Sequence, residues 1–210
     1  MKRIFKVLLV LGLAANILLI VLVSLFPILS LDIFISQKFQ AHGHVLFPFA
    51  MKMVSVFGQP TIAVATVILV SMIFFLLAQH TEAIFLLFTF PADGLSFLLK
   101  NIIHRPRPGE PLVLVEAQAG GYSFPSNHVV HYVVFFGFLF VTMFVVKKLP
   151  KWLRLLVAFG CLILIFSVSL SRVYLGVHWT TDVLGGYLTG FILLFFILYF
   201  YRRLRRLETA

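Results

Sequence analysis

The stretch SRVYLGVHWTTD, Ser171–Asp182, sets an arginine, a histidine and an aspartate between two apolar runs, Trp152–Leu170 and Val183–Tyr201. Runs of that length cross a bilayer as helices, so the stretch reads as a polar turn at a membrane face. His178 and Asp182 are four apart and share a face if helix begins near His178. A carboxylate placed there accepts a hydrogen bond from one ring nitrogen, fixes the tautomer and leaves the other nitrogen free to attack. Arg172 adds a permanent planar cation suited to phosphate oxygens. The three together suggest nucleophilic attack on an anionic substrate. The plain alternative is a polar loop with a structural histidine and a helix-capping aspartate.

Composition puts the chain in the bilayer. Of 210 residues, 61% are hydrophobic and 11% charged, with mean hydropathy +1.09. A soluble domain averages roughly 45–50% apolar and about 25% charged. The single cysteine, Cys161, lies within an apolar run, which excludes an internal disulfide. The net charge of +10 is scattered between apolar runs and forms no soluble basic face, so it argues for orientation in the membrane and against nucleic acid.

Working outward, six apolar runs reach helix-spanning length: Val7–Leu29, Thr61–Ala78, Ala83–Leu99, Val129–Val146, Trp152–Leu170 and Val183–Tyr201. The expected fold is an all-α integral membrane bundle of six transmembrane helices, a single domain over residues 1–210. The first run follows MKRIFK but is too long for a signal-peptide core and lacks an A-x-A-like site, so it reads as an uncleaved span. The third is interrupted by Pro91, Asp93 and Gly94. Asp93 is costly in lipid and is expected to face the bundle interior, where an ion pair with Lys100, seven residues on and on the same face, is plausible. Between the first two spans, about thirty residues ending in Gly58-Gln59-Pro60 read as an amphipathic interfacial segment capping the bundle. His42 and His44 there read as solvated loop histidines, too few for a metal site.

Six spans put both termini on one side. Lys2, Arg3 and Lys6, then Lys147, Lys148, Lys151 and Arg154, then Arg202, Arg203, Arg205 and Arg206 cluster there, which makes that side cytoplasmic. The C-terminal arginines read as a topological anchor. Three polar segments share the opposite, extracytoplasmic face: KNIIHRPRPGE from Lys100, GGYSFPSNH ending at His128, and SRVYLGVHWTTD. Arg105 joins the basic residues gathered there. Lys100, Arg107 and Arg172 suit a phosphate dianion, whose equatorial oxygens need neutralisation. Pro106 and Pro108 stiffen the chain around Arg107. Ser126 stands near a helix N-cap, where free N–H groups receive an anion. A second histidine, His128, permits one imidazole to attack phosphorus while the other protonates the leaving oxygen. His131 reads as a buried polar histidine of the bundle, and His104 as a loop residue.

In order, these segments resemble the signature of the type 2 phosphatidic acid phosphatase family: K-x6-R-P, P-S-G-H and S-R-x5-H-x3-D, here KNIIHRPRP, PSNH and SRVYLGVHWTTD. The resemblance spans Lys100 to Asp182. It implies His178 as the nucleophile of a phosphohistidine intermediate, Asp182 as its orienting carboxylate and His128 as the proton donor. Lys100, Arg107, Ser126, Arg172 and the N–H at Asn127 would bind phosphoryl oxygens. It also implies chemistry without metal or other cofactor, which agrees with seven scattered acids. Asn127 stands where the family has glycine. Asparagine tolerates positive φ, so such a turn survives it, but the side chain narrows the pocket or contacts the substrate.

The expected function is metal-independent hydrolysis of a membrane lipid phosphate. The resemblance suggests phosphatidylglycerophosphate, phosphatidic acid or undecaprenyl pyrophosphate. The competing readings are a small transporter or channel, a non-hydrolytic lipid-phosphate binder, or phosphotransfer to another acceptor. Polar groups gathered at one face, with no repeated pair of broken helices, speak against transport. The expected partners are the bilayer and the lipid phosphate, and the sequence assigns no oligomeric state.

Overall fold

The computed structural model describes residues 2–41 and 46–208, and within them every regular element is a helix, with no strand. His42 and His44 lie outside the described residues. The helices are α1 (Lys2–Leu25), α2 (Ser30–Gln40), α3 (Phe47–Ser55), α4 (Pro60–Leu76), α5 (His80–Ile103), α6 (Asn127–Val145), α7 (Lys151–Tyr174) and α8 (Thr180–Glu208). Among the described residues, α1, α5, α6, α7 and α8 are each long and apolar enough to span a membrane. The sixth candidate is a bent one: α3 with its 3-10 turn Val56–Gly58 meets α4 at 58°. Pro60 opens α4 at its first turn, where a missing N–H costs nothing. Leu8, Leu18, Phe159 and Phe166 point outward and exposed, as lipid-facing side chains do.

The weak third run is a real helix with a local break. Pro91 cannot donate to the carbonyl four residues back, and the ladder is interrupted at Phe88, whose N–H turns to Phe85 at 3.2 Å. Asp93 does not pair with Lys100. Its Oδ2 lies 2.9 Å from Nδ1 of His131 on α6, while the Lys100 ammonium turns up to loop carbonyls. Seven residues along a helix share a face but are separated by about 10 Å of rise, so the partner across the helix interface wins.

α6 is the buried centre of the bundle, with Val129, Val130, Tyr132, Val133 and Phe135 fully enclosed. A π-helical turn at Tyr132–Phe136 interrupts its regular hydrogen bonding. α8 lies close against it because Gly186 and Gly190 leave room. A Cβ on either would come within 2.8 Å of Val129 or Val133, the small-residue contact typical of membrane helices. This contact fixes the start of α6 beside the start of α8, and so His128 near His178. At the other end, Lys148 donates to the Leu77 carbonyl at 2.6 Å, and Arg205 and Tyr201 both reach Glu82. The segment between the first two spans forms α2 and α3; both pack against α7, and α2 also against α8, while Lys52 and Ser55 of α3 wall the site.

Candidate active site

The polar segments converge on a cavity of about 580 Å³ at one end of the bundle. Six of the eight residues expected from sequence line it: Lys100, Arg107, Asn127, His128, Arg172 and His178. Asp182 lies behind His178, fully buried. Ser126 is buried at the N-cap of α6, its Oγ without a protein partner.

Each cation is held by part of its donors. Lys100 lies in the last turn of α5 and gives hydrogens to the carbonyls of Tyr122, at 2.7 Å, and Ser123, at 3.1 Å; an ammonium has a third. Arg107 is aimed by carbonyls, with Nη1 2.6 Å from Val177 O, Nη2 2.9 Å from Gly120 O and Nε 3.0 Å from Gly121 O. Burial pulls Arg107 below the ordinary arginine range, opposed by the Asp182 charge; guanidinium basicity still leaves it cationic at neutral pH. Arg172, in the last turn of α7, donates from Nη1 to Ser55 Oγ at 2.8 Å, and its buried Nε has no protein partner. All three side chains line the cavity, and as a set they suit an anion with several oxygens.

His178 does not begin a helix: α8 starts at Thr180. The four-residue spacing is closed by a turn. Asp182, third residue of α8, reaches back to accept from the Trp179 N–H at 2.8 Å, as in a capping box. The same oxygen, Oδ2, lies 3.4 Å from Nδ1 of His178. The other ring nitrogen, Nε2, is 3.3 Å from Arg107 Nη1. Burial, then the charges of Lys100, Arg107 and Arg172, hold the His178 imidazole well below its ordinary value of 6.5, so it is neutral at pH 7 and carries a lone pair. Asn127 takes up no positive φ; it is the first residue of α6, and its Oδ1 accepts from Ser96 at 2.8 Å. The family's glycine position therefore needs no glycine backbone here.

His128 sits against the 3-10 turn before α4, where Gly58 is required for space. A Cβ on Gly58 would lie 2.2 Å from His128 Cδ2. G58A is therefore expected to push the imidazole aside and lower kcat by roughly 10²-fold, the scale of an ångström-level misplacement. Turnover against an unchanged melting temperature checks it.

Several residues at the site escaped the sequence reading. Asp32, from α2, is one: it forms a buried cluster with Thr181, Asp182 and Arg105, the last counted from sequence only as a further cation of this face. Ser55 and Gly58 come from the segment read as a cap. A lone aspartate in the apolar LDIF stretch was the available signal, since a buried acid there needs a cation. His104 ends α5 in a left-handed conformation, φ 55°. His131 is buried, as expected. Among the described residues, no three His, Cys, Asp or Glu side chains converge as metal ligands.

This arrangement coincides with a known family. Residues 81–206, more than half of the chain and all of the cavity's motif residues, match the model of the PAP2 superfamily. The chain belongs to the PAP2 superfamily. PAP2 phosphatases are hydrolases acting on phosphate esters. Among relatives, phosphatidylglycerophosphatase B of Bacillus subtilis is 30% identical over 154 residues, 71% of this chain and 72% of that protein. An undecaprenyl-diphosphatase of Sulfolobus acidocaldarius is 39% identical over 80 residues, 38% of this chain and 34% of that protein. The crystal structure of a transmembrane PAP2 type phosphatidylglycerolphosphate phosphatase from Bacillus subtilis matches with TM-score 0.80 at 25% identity. That match covers 93% of this chain and 96% of the other. A PAP2 fold thus carries this cavity, in a multi-pass membrane chain.

Proposed function

We propose that this PAP2 chain, working as one membrane-embedded domain over residues 1–210, hydrolyses a lipid phosphate through a phosphohistidine on Nε2 of His178. The observation that carries the reading is the division of the His178 ring: Nδ1 faces Asp182, and Nε2 stands at the cavity beside Arg107. The substrate phosphoryl group rests on Lys100, Arg107, Arg172 and the N–H groups at the start of α6, with Ser126 Oγ as a further donor. The Nε2 lone pair attacks phosphorus in line. The P–O bond to the lipid breaks, and His128 gives its proton to the leaving oxygen. Asp182 balances the positive charge that forms on the phosphorylated ring. In the second step His128 takes a proton from water, whose oxygen attacks phosphorus; the P–Nε2 bond breaks, its electron pair returns to the His178 ring, and phosphate leaves. Cations alone neutralise the phosphoryl oxygens, so no metal is assigned a part.

The six-span count and the cluster of basic residues at the end opposite the cavity support cytoplasmic termini and an extracytoplasmic site in the cell membrane. The names of the relatives support phosphatidylglycerophosphate or a polyprenyl diphosphate as substrate. The test is phosphate release by purified protein in detergent with excess chelator. Substrates are phosphatidylglycerophosphate, phosphatidic acid, undecaprenyl pyrophosphate and a water-soluble phosphate ester. Chelator-resistant release from a lipid, with an acid-labile, alkali-stable phosphoryl group trapped on the protein, is expected. Well-folded protein that releases no phosphate from any lipid would sink the reading.

The pH dependence follows from the nucleophile. Because the cavity holds His178 below its ordinary 6.5, protonation silences it only at more acid pH. The acid limb of kcat/KM, which reports the free enzyme, is expected below pH 6.5. R107Q removes a cation that opposes protonation, so its limb is expected to move to higher pH, on top of a lower maximum. A wild-type limb above pH 6.5 would contradict this.

A further inference from the structure

Arg105 is 1% exposed and does not line the cavity, so it meets no substrate. Its guanidinium lies between two buried carboxylates. Nη1 donates to Asp182 Oδ1 at 2.5 Å, and Nη2 donates to Asp32 Oδ2 at 2.7 Å. Nη1 also reaches Thr181 Oγ1 at 2.7 Å, and Nε reaches Pro27 O at 2.8 Å. Asp32 in turn accepts from the Thr181 N–H at 2.9 Å and from its hydroxyl at 2.7 Å. One cation faces two carboxylates, and the other side of the Asp182 carboxylate, Oδ2, lies 3.4 Å from His178 Nδ1.

The geometry is a fork across two acids. With Oδ1 of Asp182 taken by Arg105 and Oδ2 reached by the Trp179 N–H, the carboxylate plane cannot rotate away from the imidazole. Asp32 fixes the guanidinium that does this. A planar fork satisfies both carboxylates at once; an ammonium supplies the charge without the fork. Resting on the phosphohistidine reading above, we propose that Arg105, held by Asp32, is a positioning residue of the reaction. It keeps the Asp182 carboxylate aimed at Nδ1 of His178.

The test uses the full chain in detergent, phosphatidic acid as substrate and inorganic phosphate as ligand in thermal-shift measurements. R105Q is expected to lower kcat about 100-fold with KM within threefold. Stabilisation by phosphate should be retained, because Lys100, Arg107 and Arg172 do not touch Arg105. R105K should recover about tenfold of the loss through its charge. Asp32 also holds Thr181, but its effect on Asp182 runs through Arg105, so the loss in R105Q/D32N should fall well short of the product of the two single losses, the non-additivity of linked contacts. R105Q turnover within threefold of the parent would overturn the proposal. Loss of phosphate stabilisation in step with turnover would also overturn it, making the cluster a mere pin of the cavity. If R105Q does not fold, D32N carries the test: a fall in kcat at intact phosphate stabilisation is expected, and an unchanged kcat overturns it. H178A separates the two readings. Turnover that survives H178A removes the histidine mechanism and this proposal with it; turnover lost in H178A but kept in R105Q removes this proposal alone.

Discussion

Replacing His178 by alanine is expected to lower phosphate release about 10⁴-fold or more, the scale seen when a nucleophile acting with its base and orienter is removed. The loss is that large because nothing else stands in the same place. Nε2 is the imidazole nitrogen beside Arg107, and the other cavity histidine, His128, belongs to α6 and rests on Gly58. Water in the enlarged cavity would attack from a position that no side chain holds. Binding should survive the change. Lys100, Arg107 and Arg172 take their orientation from the carbonyls of Tyr122, Ser123, Gly120, Gly121 and Val177 and from Ser55. H178A should therefore still be stabilised by inorganic phosphate while releasing almost none from lipid. No phosphoryl group should be trapped on the variant. Release within tenfold of the parent would mean that another group attacks phosphorus.

The spans and the polar motifs were legible because each is written in consecutive residues. Apolar runs announce themselves by length, and His178 to Asp182 is a four-residue spacing whichever local conformation closes it. The conformation itself was not legible. The spacing put His178 and Asp182 on one face only if helix began near His178; α8 begins at Thr180, because Asp182 serves as the third helical residue and turns back to the Trp179 N–H. Contacts between distant segments were also hidden. Asp93 and Lys100 matched by helical register, yet the first found His131 on α6 and the second found loop carbonyls. Arg105 counted as one more cation at the outer face, because sequence gives charge but not direction; its guanidinium turns from the cavity to the back of Asp182. Asp32 and Gly58 lie outside every motif and act only through the fold.

Asp182→Asn is expected to lower kcat by about 10³–10⁴-fold, on the scale known for an orienting aspartate replaced by its amide. The carboxylate now meets donors on both oxygens: Arg105 and Thr181 form one side of the cluster through Oδ1 and Asp32, and the Trp179 N–H meets Oδ2. An amide has a single oxygen. If that oxygen keeps the Arg105 contact, the NH₂ group turns toward the Trp179 N–H and His178 Nδ1, where it offers a donor in place of an acceptor. The imidazole then does best with its proton on Nε2, the tautomer whose attacking lone pair is gone. If the oxygen instead turns to Trp179, the NH₂ group faces the Arg105 guanidinium, leaving a buried cation with one carboxylate fewer. Either way the charge that would balance the phosphorylated ring is lost. D182N should bind inorganic phosphate as the parent does, and the ¹⁵N shifts of His178 should report protonation at Nε2. D182N turnover within tenfold of the parent, with the proton still on Nδ1, would show that His178 holds its tautomer without Asp182.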